Sequence, residues 1–238
     1  MEEKSLVIGI ISSAHEGSNS AALVREALEG AAQHGVNVME VYLPEYRLDF
    51  CTGCLSCMKA GQCRLADRFN ELREQLYLAD GIIWGTPTYA AAPNAIMKNL
   101  IDRLGIFEVA TSSLGGKYMA GIASANSAGA AKKIAKGLAR FGIGGTFMRS
   151  YASAYLGAGC RGGRRAENDE KLLAQARRLG AKVAADIQTK KAYPLQGLFK
   201  RILNALLMKP AFSKYIMSNK DDETKMLYES LHRRQLLA

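Results

Sequence analysis

Short unbroken apolar runs alternate with amphipathic stretches along the first 190 residues of the chain. Ser5–Ile11 (Ser-Leu-Val-Ile-Gly-Ile-Ile) is the first run, as expected of a parallel strand buried on both faces. A polar loop follows, and then a predicted helix from Ser20 to His34, with apolar residues recurring at Leu23, Ala27 and Ala31. Val36–Leu43 reads as the second strand, Arg68–Leu78 as a helix and Gly81–Thr86 as the third strand. Pro93–Leu104 reads as a helix with Pro93 suited to its first turn. Lys117–Ser124 is the fourth expected strand, Ala130–Phe141 a helix, Gly145–Tyr151 the fifth strand, and Glu167–Ile187 a long helix.

Strands that alternate with helices imply a parallel sheet covered on both sides. Five such units predict a flavodoxin-like, doubly wound five-stranded α/β domain over residues 1–190, with its ligand site at the carboxyl ends of the strands. Residues 191–238 form a C-terminal helical extension. There Leu195, Leu198, Phe199, Ile202, Leu203, Leu206 and Leu207 follow helical spacing, with Lys200, Arg201 and Asn204 on the other face. Pro210 is expected to end this helix, and a second one to run from Asp222 to Gln235. Seven large apolar residues need cover from the parent domain, a neighbouring subunit or a membrane surface; a neighbouring subunit is the expectation.

The composition, 48% hydrophobic and 23% charged, is that of a soluble globular chain. No apolar run is long enough to span a bilayer. The start, Met-Glu-Glu-Lys-Ser, lacks the positive region of a signal peptide, so a cytoplasmic, reducing setting is expected. The net charge is +10, and ten Lys/Arg face four Asp/Glu from Lys190 onward. Without interleaved aromatics this basic surplus does not indicate nucleic-acid binding.

Ser12, Ser18, Asn19 and Ser20 offer hydroxyl, amide and backbone donors in the loop that opens the first helix, an arrangement suited to an anion. The loop has neither the G-x-G-x-x-G fingerprint nor a Walker lysine, and suits a single terminal phosphate such as that of FMN. Ordinary helix capping would use the same residue types. Two further loops fall at the same sheet end: Thr86-Pro87-Thr88-Tyr89-Ala90-Ala91 and Ser124-Ala125-Asn126-Ser127-Ala128-Gly129. Their small residues let the backbone approach a flat ring, and Tyr89 can pack beside it. Trp84 reads as core, and His15 as an exposed loop residue.

Four of the five cysteines fall within thirteen residues as Cys51, Cys54, Cys57 and Cys63, a C-x₂-C-x₂-C-x₅-C run. Thiolates so close can hold an iron–sulfur cluster. Free thiols are a second reading and zinc a third, although structural zinc sites usually separate two C-x₂-C pairs by a longer loop. Lys59 lies near the sulfurs in sequence and would temper their charge. Cys160 stands alone in a Gly/Arg-rich stretch and reads as incidental.

The ordered set of Ser12…Gly17-Ser18-Asn19-Ser20, the cysteine run, Ala79-Asp80-Gly81-Ile82-Ile83, Thr86-Pro87-Thr88-Tyr89 and Met97-Lys98-Asn99-Leu100-Ile101-Asp102-Arg103 resembles the NADPH-dependent FMN reductase superfamily, and within it the iron–sulfur flavoproteins. The resemblance implies that Ser12, Ser18, Asn19 and Ser20 hold the FMN phosphate. It places Pro87, Thr88, Tyr89 and Ala90 beside the isoalloxazine ring, with Ser124, Asn126 and Gly129 on its other side. It assigns Cys51, Cys54, Cys57 and Cys63 to a [4Fe–4S] cluster, and Asp102 with Arg103 to a structural ion pair near a dimer interface. It also implies homodimers or homotetramers.

The resulting expectation is a flavin-dependent oxidoreductase in which electrons pass between cluster, FMN and an external nicotinamide, ferredoxin or quinone. No protein residue need act as acid or base, because the flavin carries the chemistry. The alternatives are a cluster-free NAD(P)H-dependent FMN or quinone reductase, and a non-catalytic, zinc-stapled scaffold.

Overall fold

The computed structural model describes residues 4–143 and 145–237. The acidic opening residues 1–3, used above against a signal peptide, lie outside them. Five parallel strands form the sheet: β1 (Leu6–Ile11), β2 (Asn37–Tyr42), β3 (Gly81–Tyr89), β5 (Tyr118–Ala125) and β6 (Tyr151–Gly159), with β4 (Ala92–Pro93) returning antiparallel along β3. Their order is β2-β1-β3-β5-β6, so the chain reverses direction across the sheet after β2. The central strands β1, β3 and β5 are buried almost throughout, which explains their unbroken apolar runs. Edge strand β2 is mostly exposed.

One face is covered by α1 (Asn19–Ala32) and α6 (Glu170–Gln188), packed around Leu23, Val24, Leu179 and Val183. The other carries α3 (Phe69–Leu78) and α4 (Ala95–Thr111) over Phe69, Leu72, Trp84 and Leu100. Trp84 is core, as expected, and meets Phe141 edge to face at 5.6 Å. Helix α5 (Ala128–Ala139) lies against β5 and β6.

The fifth long strand is not Gly145–Tyr151 but begins where that segment ends. Residues 145–150 form no strand, and the Gly145 and Ser150 amides both donate to the Gly142 carbonyl. Phe147 and Met148 are the large apolar residues of the expected span, whereas β6 itself is rich in small residues. The reason is packing: a Cβ on Gly157 would lie 2.2 Å from the Lys132 backbone nitrogen, so α5 approaches only because that position has none.

The tail also differs from expectation. Helix α7 (Leu198–Leu203) runs through a π-helical turn, Asn204–Met208, directly into α8 (Lys209–Ser218). Pro210 does not stop the helix, because it lies in the first turn of α8 and the widened π turn ahead of it relieves the clash of its ring with the preceding carbonyls. Helix α9 (Lys225–Arg233) then returns to the domain. Its Leu227 and Leu231 are buried with Ile216 and Leu237 against Met58 and Phe147. Arg234 donates to the Ser112 carbonyl at 3.0 Å. No helix among the described residues is long and apolar enough to cross a membrane.

Candidate active site: a carboxyl-edge pocket and a cysteine loop

At the carboxyl ends of β1, β3 and β5 lies an open cavity of about 410 Å³. Ser18, Asn19, Pro87, Thr88, Tyr89, Ser124 and Asn126 border it, which unites the three loops singled out in the sequence. Ser12 and Ser20 do not border it. Ser12 is fully buried, its Oγ 2.8 Å from Asn94 Oδ1 and 3.0 Å from the Gly85 carbonyl, while Ser20 Oγ sits 3.3 Å from Ser18 Oγ. Ala90 and Gly129 also stand off the cavity wall. Ser18 caps α1 by accepting from the Ala21 amide at 3.2 Å.

Behind the cavity wall, Asn94 joins the strand ends. It caps α4 by accepting from the Met97 amide at 3.1 Å, and its Nδ2 donates to the Ser12 carbonyl at 2.7 Å. Thr86 Oγ1 lies 3.2 Å from Asn94 Oδ1. One buried side chain therefore ties the ends of β1 and β3 to a helix start. Above it, β3 turns into β4 through Ala90 and Ala91, with Tyr89 opposite Ala92. Both alanines have positive φ, 47° and 58°, where glycine or asparagine is the usual choice.

The chain segment after β6 closes the cavity on the side of the loop before α1, a contribution that sequence reasoning missed. Arg165 Nη2 donates to the Gly17 carbonyl at 2.9 Å, and Asn19 Oδ1 accepts from the Ala166 amide at 2.7 Å. Cys160 borders the cavity too, with its thiol pKa raised by burial. His15 and Ser13 complete the rim. The clustered arginines 161, 164 and 165 were the available signal, but nothing in the sequence joined them to a loop some 150 residues earlier.

The four clustered cysteines ring a second, smaller cavity together with Leu65 and Arg103. Gly53 and Leu55, at φ 65° and 57°, take left-handed conformations that curl the loop, and α2 (Ser56–Ala60) carries Cys57. Cys54 is exposed, and hydrogen bonds from Ser56, including Oγ at 3.2 Å, and from Thr52 lower its thiol pKa to about 7. Cys57 is half-buried, and burial together with the neighbouring thiols raises its pKa.

Both feet of this loop are held by the domain. Asn70 on α3 accepts from the Cys63 amide at 2.9 Å and donates to its carbonyl at 2.8 Å. Asn99 on α4 donates to the Leu48 carbonyl at 2.9 Å. Arg103 does not pair with Asp102, which bonds Lys98 one turn back along its own helix. Instead Arg103 pairs with Asp67 and donates to Cys63 Sγ at 3.1 Å. Lys59 is drawn away to Asp222 in the tail, so Arg103 beside Cys63 and Arg64 near Cys54 temper the sulfurs.

Among the described residues no group of three or more His, Cys, Asp or Glu side chains is gathered as a metal-ion site. The thiols border their cavity without closing on one point. A single zinc would need all four sulfurs about 2.3 Å from a common centre. Four thiols border this cavity, one of them hydrogen-bonded by a buried guanidinium, so the donor set matches an iron–sulfur cluster in chemistry, while the cavity, about 20 Å³, takes one in only if the loop opens.

A doubly wound sheet whose pocket lies at the strand carboxyl ends, beside a loop that opens α1, defines the flavodoxin-like class. The chain belongs to the NADPH-dependent FMN reductase family, which matches residues 5–189. It is similar to an iron–sulfur flavoprotein of Methanocaldococcus jannaschii, 38% identical over 97 residues that make up 41% of this chain and 50% of that one. An iron–sulfur flavoprotein of Methanosarcina thermophila is 31% identical over 97 residues, 41% of this chain and 51% of that protein. The chain spans about half the length of the curated relatives it matches. Among solved structures, an NAD(P)H:quinone oxidoreductase from Methanothermobacter marburgensis shares the fold, with a TM-score of 0.58, 16% identity, and coverage of 80% of this chain and 100% of that one.

Proposed function

We propose that this chain is an FMN-dependent oxidoreductase that carries a [4Fe–4S] cluster on Cys51, Cys54, Cys57 and Cys63. Electrons would pass between cluster, FMN and an external nicotinamide, ferredoxin or quinone, and the chain would assemble as a homodimer or homotetramer. The observation that carries the reading is the convergence of four thiols on one cavity in a domain whose three βα loops line a carboxyl-edge pocket. The family match and the names of the relatives support it.

In this reading Ser18, Asn19 and the start of α1 receive the phosphate, with Arg165 adding positive charge alongside. Pro87, Thr88, Tyr89, Ser124 and Asn126 flank the ring. FMN, when bound, supplies two-electron hydride chemistry and one-electron transfer. The protein's own part is to orient the ring and exclude solvent from its inner face. Asn94 and Thr86, behind the wall, hold the strand ends that carry these loops.

Protein purified without oxygen is expected to contain FMN rather than FAD, with four irons and four labile sulfides per chain. Replacing Ser18 and Asn19 together by Ala should cut flavin occupancy, and Cys57→Ala should abolish the cluster absorption while flavin bands persist. Background iron in anaerobic material would overturn the cluster and favour the cluster-free NAD(P)H-dependent reductase. A colourless protein would overturn both.

A further inference from the structure

Helices α7 and α8, with the π turn between them, form one continuous rod from Leu198 to Ser218 whose first half, through Met208, exposes its large apolar residues. Along α7 and the π turn the less exposed positions are the polar Arg201 and Asn204, while further on Phe212 and Ile216 anchor α8 to the domain. Gly197 sits over Ile143, and Asn204 Nδ2 points to the Gly145 carbonyl at 3.4 Å. The outward side carries Leu198, Phe199, Ile202, Leu203, Leu206 and Leu207, all exposed, with Phe199 at 79% and Leu206 at 70%. Contiguous apolar surface of this kind marks an interaction site.

Charge identifies its occupant. Between Ile187 and Lys220 there are seven Lys/Arg and no Asp or Glu. Lys200, Lys209 and Lys214 are exposed along the same rod. A second copy docking through a twofold axis would set this patch against itself and bring like charges together. An anionic bilayer surface matches both properties at once: the apolar side chains enter the acyl boundary while the lysines reach the headgroups. The rod is attached near the amino end of β6, where the Gln196 side chain bonds both backbone groups of Ala152. The flavin-type cavity lies at the opposite, carboxyl end of the strands.

We infer that α7–α8 is an in-plane helix that docks the protein on anionic lipid, leaving the cavity mouth directed away from the bilayer. The inference goes beyond the redox reading and does not rest on it. Flotation of the full chain with vesicles of phosphatidylglycerol and phosphatidylcholine tests it, against vesicles of phosphatidylcholine alone. Binding to the anionic vesicles should be at least about tenfold stronger and should weaken with salt. The double variant Phe199→Glu/Leu206→Glu, at two exposed positions, should lose about tenfold or more while circular dichroism and flavin content stay unchanged. Absence of binding to anionic vesicles, equal binding to neutral ones, or binding indifferent to the double variant would each overturn the inference. A drop in mass by light scattering on that variant, with no vesicle binding by the parent, would assign the face to a second copy instead.

Discussion

The Arg103 guanidinium donates a hydrogen bond to the Cys63 sulfur while buried against the Phe69 ring, 4.2 Å from its centroid. Its other contacts are the Asp67 carboxylate and the Asp49 carbonyl at 3.1 Å. One helix residue thus spans both ends of the cysteine loop, since Asp49 precedes the run and Cys63 closes it. A planar fork with several donors can do this; an ammonium cannot.

Arg103→Leu is therefore expected to destabilise the metal-free protein by about 3–5 kcal/mol in urea unfolding, because Asp67 is left buried and unpaired. Arg103→Lys should recover only part of that loss. Burial opposes ionisation of Asp67, but hydrogen bonds from Arg103 and from the Phe69 and Asp49 amides outweigh it and hold the carboxyl below its ordinary range. The pair's contribution is thus full above the ordinary carboxylate pKa and lost as pH falls through the lowered one. The gap between parent and Arg103→Leu should shrink in acid. A gap independent of pH would contradict this account.

Glu108 carries the opposite sign. Burial raises its pKa from 4.5 to about 7, against the Leu114 amide, Arg234 and Lys117, which favour the carboxylate. Between those values the folded chain holds a proton that the unfolded chain has released, so stability falls as pH rises through that window. Glu108→Gln keeps an acceptor for the Leu114 amide, 2.8 Å away, and removes the titration. The variant should be more stable than the parent at pH 8, by at most on the order of 3 kcal/mol. Thermal melts at pH 5 and pH 8 check this, and parallel melting of the two proteins at both pH values would refute it.

Ala91→Gly should stabilise the protein by about 0.5–1 kcal/mol, although glycine usually costs that much in regular structure. The native φ of 58° is unfavourable for alanine, and relief of that strain exceeds the added freedom of the unfolded chain. A lowered urea midpoint would show that the hairpin changes shape instead.

Leu231→Ala removes a fully buried side chain from the small core beneath α9, and should cost about 2–5 kcal/mol locally. Met58 packs on that core, so the loss is expected to loosen α2. Hydrogen exchange should accelerate at residues 56–61 before it does in the central strands. Uniform acceleration across the sheet would mean that the tail and sheet open as one unit.

The parallel sheet was legible in the sequence because β1, β3 and β5 are buried on both faces and display it as apolar runs. Strand β6 was not, because its small residues answer to the approach of α5 rather than to burial. The cavity loops were legible as polar punctuation after strands, yet Ser12 showed only its residue type. That its hydroxyl faces Asn94, 82 positions later, is a product of the fold. Asn99 and Arg103 stood out within a motif, but their task of fastening the cysteine loop depends on α4 lying beside residues 48–67, which no local pattern encodes. Pro210 misled because a single turn of π helix absorbs what an α-helix cannot.

Helix α9 follows Cys63 by some 160 residues and ends up against the helix that bears Cys57. At synthesis rates of about 5–20 residues per second, that interval is roughly 8–30 s. During synthesis α2 is thus outside the ribosome well before α9 exists to pack on it. Whatever charges those sulfurs can meet Cys57 on a helix that α9 has not yet packed, whereas Cys51 and Cys54 stay exposed in the folded chain as well.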